Sequence, residues 1–214
     1  MRSALPQKAC TKIVHNYYGR MADELRHVNL DSRQIRMLAH PLRSRLVGQL
    51  RLGGPATATQ LAAEFGTNTG ATSYHLRQLA DVGLVTEDEG AGRGRRRVWR
   101  AAHDVSSWER DDFAGDPDAQ AAADWLTSTF ARRLAERIED WNRGLADEPP
   151  EWRAAAVFSD HIMRLNATQL AAMITELDQV IERWRQASTA DPAPDARKIL
   201  LYLYPVPLPR KENR

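Results

Sequence analysis

Residues 68–100, NTGATSYHLRQLADVGLVTEDEGAGRGRRRVWR, decide the fold. Asn68 is a helix-capping residue, and Thr72, Leu76 and Leu79 recur at the spacing of one buried helical stripe. The opposite face carries Thr69, Gly70, Ser73, Tyr74 and Arg77, which are short or polar side chains with one aromatic ring and one cation. Gly83 ends the helix, and Leu84 and Val85 begin a strand. Glycines at 90, 92 and 94 allow a tight reversal, and Val98, Trp99 and Arg100 alternate along a returning strand. That alternation assigns Trp99 to packing. The turn itself holds Arg93, Arg95, Arg96 and Arg97, four like charges within five residues, which repel one another unless an anion lies nearby.

Working outward, residues 31–39 open a helix behind Asp31 or Ser32, and Pro41 starts a second one as its first residue. Leu42, Leu46, Val47 and Leu50 form that helix's apolar stripe, which Gly53, Gly54 and Pro55 terminate. Residues 57–65 form a short helix capped by Thr57, with Gln60 in the capping-box position and Leu61, Ala62 and Phe65 facing inward. A short capped helix, a turn, a helix with a polar outer face and a basic hairpin are together the layout of a winged helix-turn-helix. The predicted groove-facing set is Asn68, Thr69, Gly70, Ser73, Tyr74, His75 and Arg77, and the predicted phosphate-facing set is Arg93, Arg95, Arg96 and Arg97. His75 borders the buried stripe, so it reads equally as a packed histidine or a phosphate contact. His40 precedes Pro41 and reads as part of a helix start.

The segments LAHPLRSRLVGQL and QLAAEFGTNTGATSYHLRQLADVGLV resemble those of ArsR-type winged helix-turn-helix regulators of bacteria, over roughly residues 31–103. The resemblance implies a homodimeric repressor or activator that binds double-stranded DNA. Many members of that family sense metals through cysteine or histidine clusters. Here the sole cysteine is Cys10, and the histidines at 15, 27, 40, 75, 103 and 161 form no closely spaced pair. Tight soft-metal sensing therefore lacks ligands, and neither a metal nor a cofactor is expected.

The charge distribution divides the chain. Its 214 residues carry a net charge of only +2, but residues 31–103 hold eleven arginines against six acids, a net +5. Residues 104–196 hold nine arginines against nineteen acids, a net −10. The basic part suits nucleic acid and the acidic part does not. The expected architecture is mainly α with a small β component. An N-terminal arm (1–30) has residues 1–20 either disordered or an upstream extension. A winged helix-turn-helix domain (31–103) and an acidic helical region for dimerisation or an effector (104–214) follow it.

Within that region, residues 118–145 form the longest helix, about 42 Å at the standard rise. Its stripe is Leu126, Phe130, Leu134, Ile138, Trp141 and Leu145. A strand over 160–165, a helix over 167–186 capped by Asn166, and a strand over 198–206 are expected to form a strand-helix-strand unit. Trp125, Phe130, Trp141, Trp152, Phe158 and Trp184 form either a dimer or domain core or the lining of a pocket for an unknown small-molecule effector.

No apolar run approaches the length of a membrane span and no secretory segment is present, which predicts a cytoplasmic protein away from membranes. No nucleotide loop, metal dyad or nucleophile triad spacing occurs, so no catalytic role is expected. Two other readings remain: a winged helix that binds protein rather than DNA, and a regulator that responds to a small molecule through its C-terminal region.

Overall fold

The computed structural model describes residues 26–88, 97–191 and 193–208. The N-terminal arm through residue 25 and the wing tip, with Arg93, Arg95 and Arg96, lie outside the described residues. The chain divides into two compact units, one containing 14–162 and the other 163–214.

In the first unit, β1 (His27–Asn29) pairs in parallel with β5 (Val105–Ser107), His27 opposite Val105. Arg26 closes this pair, its Nη2 donating to Asp104 Oδ1 at 2.6 Å. Helix α1 (Ser32–Leu38) starts at Asp31, whose carboxylate accepts from the Arg33 and Gln34 amides while Gln34 reaches back to the Asp31 amide. Helix α2 (Pro41–Gly53) begins with Pro41, where a missing N–H costs nothing, and His40 supplies its cap. After β2 (Ala56–Thr57), helix α3 (Ala58–Glu64) carries a full capping box between Thr57 and Gln60. Helix α4 (Thr69–Ala80) follows a turn in which Gly66 has φ 61°. Strands β3 (Val85–Glu87) and β4 (Val98–Ala101) are antiparallel, with Thr86 opposite Arg100, and β2 joins the other edge of β4.

One core serves this unit. Ile35 and Leu38 of α1, Leu46, Val47 and Leu50 of α2, Leu61 of α3, Leu76 and Leu79 of α4 and Trp99 of β4 are all buried in it. The core continues past residue 103. Phe113, in a short 3-10 turn, and Ala119, Ala122, Ala123 and Leu126 of helix α5 (Pro117–Gly144) belong to the same cluster. Three alanines allow α5 to pack closely on α1, and Arg36 of α1 ion-pairs with Asp116, the α5 cap. From Phe130 onward the predicted stripe of α5 is only half-buried. A short helix, α6 (Pro150–Ala155), follows.

In the second unit, helix α7 (Ala167–Ala190) is capped by Asn166 in a capping box with Gln169. The strands expected on either side of it are not formed. Residues 156–166 and 196–208 are neither helix nor strand. The β-forming side chains are there, but the ladder that would pair their amides and carbonyls is not, and Pro205 and Pro207 have no N–H to offer one. Of the aromatic residues expected to form a core or line a pocket, Phe158 and Trp184 are 86% and 68% exposed. His161 is exposed as well. No described helix is long and apolar enough to cross a membrane.

Candidate nucleic-acid interface

Helix α4 is set by its two ends and its buried side. Asn68 Oδ1 accepts from the Ala71 amide at 2.7 Å, and the Thr72 hydroxyl donates to the Asn68 carbonyl at 3.1 Å, so the buried hydroxyl is satisfied inside the helix. A Cβ at residue 70 would stand 3.3 Å from Asn68 Oδ1, which gives Gly70 a local reason despite its weak helix propensity. At the far end Gly83 takes φ 72°, a backbone conformation that favours glycine, and the Leu84 amide returns to the Leu79 carbonyl at 2.9 Å. With Thr72, Leu76 and Leu79 buried, the helix presents Asn68, Thr69, Gly70, Tyr74 and Arg77 fully outward and Ser73 partly so. Arg77 Nε donates to the Ser73 carbonyl at 3.3 Å, which draws the guanidinium back along the helix.

His75 is half-buried. Its ring centroid lies 4.7 Å from that of His40 and 5.4 Å from that of Tyr74, the latter nearly edge-on at 67°. Its Nδ1 is buried without a hydrogen-bond partner among the described residues. Burial, then His40 and Arg43, lower its pKa from the ordinary 6.5, which favours the neutral ring over the imidazolium. His40 is lowered too, by burial and then Arg43, and its Nδ1 accepts from the Leu42 amide at 3.2 Å. The sequence places His40 and His75 35 positions apart and showed no pair; only the packing of α2 against α4 brings them together.

At the base of the wing, Arg97 is exposed and ion-paired to Glu87 at 3.2 Å, and the Asp88 amide donates to the Val98 carbonyl at 2.8 Å. Trp99, predicted to pack, is 4% exposed in the core. Two arginines of α2 lie outside the predicted set, and Arg43 is close enough to Tyr74 and His75 to interact electrostatically with both. Arg43 donates through Nε to the Met37 carbonyl, and Arg45 stands 4.4 Å over the Phe65 ring. The apolar stripe of α2 gave no sign of this.

A capped short helix, a glycine turn, a second helix with a polar outer face and a two-strand wing define a winged helix-turn-helix. A helix-turn-helix domain family matches residues 38–88. One solved structure, a possible transcriptional regulator for arsenical resistance, is 33% identical over 54% of this chain and 96% of its own, with a TM-score of 0.29. The homodimeric winged helix-turn-helix DNA-binding domain of a possible ArsR-family transcriptional regulator from Mycobacterium bovis is 19% identical over 67% of this chain and 94% of its own, TM-score 0.30. An ArsR family transcriptional regulator is 24% identical over 54% and 97%, TM-score 0.28. No curated protein matches. Superpositions at these scores are uninformative, and membership rests on the sequence match. The chain belongs to the ArsR-type winged helix-turn-helix transcriptional regulators.

Proposed function

We propose that the protein is a cytoplasmic, homodimeric, sequence-specific transcriptional regulator without catalytic activity. Helix α4 enters a major groove, the wing of residues 87–97 holds the flanking backbone, and the C-terminal helices join two copies. The observation that carries this reading is α4 itself: one face is locked in the core, and the other presents Thr69, Tyr74 and Arg77 outward and Ser73 partly so, with the arginines of 93–97 following in the sequence. In this arrangement the first residues of α4 and Arg77 reach base edges or phosphate, while Arg93, Arg95, Arg96 and Arg97 supply sequence-independent affinity. Two copies would place their helices in successive major grooves, about 34–36 Å apart.

The test is a gel-shift series against the chain's own upstream region. Affinity should fall steeply with salt, and Arg95→Ala with Arg96→Ala should make the log–log slope shallower by about two units. Equal, weak binding to every duplex, unchanged in that double variant, would sink the proposal in favour of a protein-binding role.

A further inference from the structure

Tyr74 is unusual on the α4 surface. It is a large ring, 52% exposed, among short polar side chains. Its ring meets the edge of His75, and His75 packs on His40. His40 in turn is anchored to the chain, because its Nδ1 caps α2 and Pro41 follows it with a fixed φ. Among the described residues the middle ring has no hydrogen bond through Nδ1, so ring packing positions it on that side. Three rings therefore run from the start of α2 to the exposed face of α4. A side chain held this way loses little rotamer freedom on contact with a groove. The phenol ring adds an apolar edge to an outer face whose other groups, such as the Thr69 and Ser73 hydroxyls, are polar, and the one apolar feature of the major groove is the thymine 5-methyl group.

We propose that Tyr74 is a specificity-determining residue that packs against a thymine methyl, and that His40, acting through His75, is a positioning residue for it. The proposal rests on the reading of α4 as a groove-entering helix. It adds the capping residue of α2, outside the recognition helix, to the set that governs sequence choice.

The experiment uses the full chain and a duplex recovered by repeated selection from a random-sequence library, then resynthesised with uracil for thymine one position at a time. One position per half-site should lose affinity on the order of fourfold, the value of burying a single methyl group. Tyr74→Phe keeps that penalty and Tyr74→Ala abolishes it. His40→Asn keeps a capping oxygen for the Leu42 amide but removes the ring. It should weaken binding of the selected duplex when Tyr74 is present and have no further effect in the Tyr74→Ala background, with an unchanged melting temperature. A uracil penalty that survives Tyr74→Ala, or its absence at every position, overturns the role of Tyr74. Equal effects of His40→Asn in both backgrounds overturn the positioning role. Failure to select any duplex is a separate result that overturns the DNA-binding reading and this inference together.

Discussion

Four histidines of the first unit share an electrostatic character. His27, His40, His75 and His103 all have pKa values lowered from 6.5, and in each the first cause is burial. Arg51 adds to the effect at His27 and His103, and Arg43 at His40 and His75. A histidine whose folded pKa lies below its unfolded value costs nothing above pH 6.5, where both states are neutral. As the pH falls below 6.5 the unfolded chain takes up protons first, so stability declines until the folded pKa values are passed. Thermal melts should therefore be flat from pH 8 to about 7 and fall between about 6.5 and 5. Replacing His27 and His103 together with glutamine should flatten the decline, and a melting temperature that rises on acidification would contradict this account. At Gly83, φ 72° makes any Cβ strained whatever the space around it, so Gly83→Ala should cost about 1–2 kcal/mol in denaturant melts.

At the scale of elements, α4 separates stability from recognition. Leu76 is fully buried, and Leu76→Ala should cost about 2–5 kcal/mol of unfolding free energy. Arg77 is exposed on the other face, so Arg77→Ala should shift stability by no more than about 0.5 kcal/mol while weakening duplex binding. If the two variants lost both properties together, the two faces would not be independent. This helix was legible in sequence because its cap and its stripe lie within a few residues of each other, as did the caps at Asp31, Thr57 and Asn166. The pairing of β1 with β5 was not, since it joins three-residue strands 78 positions apart with no alternation to mark either. Helix α5 was read over 118–145, but the burial of its first turns was not, because Ala119, Ala122 and Ala123 bury little area each and carry a weak pattern signal. The opposite error came at 198–206, where strong β formers announce a strand that the fold does not pair. The candidate site was legible along α4, where one helix carries it. His40 was not, because its relation to His75 exists only in the packed structure.

At the scale of the whole molecule, burial and exposed apolar surface occupy different parts of the chain. Among the described residues every buried side chain lies between Leu30 and Thr129. Among the described residues, all the large exposed apolar side chains except Tyr74 and Val105 lie between 157 and 208. Helix α7 repeats Leu170, Met173, Ile174, Leu177, Ile181 and Trp184 at steps of three and four, yet none of its residues is buried. A 24-residue amphipathic helix in water draws most of its stability from packing of its apolar face, and on α7 Leu177 and Trp184 are exposed while Leu170, Met173, Ile174 and Ile181 are only half-buried. A second copy covering that face would serve the proposed dimer. The full chain should then sediment at twice the monomer mass, and Leu177→Arg, or removal of residues 163–214, should shift it towards monomer. Because the truncation removes no buried side chain, the remaining unit should keep its cooperative melting transition. Its affinity for a duplex with two half-sites should fall towards that for one, since the gain from linking two binding modules is lost. A truncated chain that stays dimeric would place the contact within the first unit and leave the apolar face of α7 to a different partner.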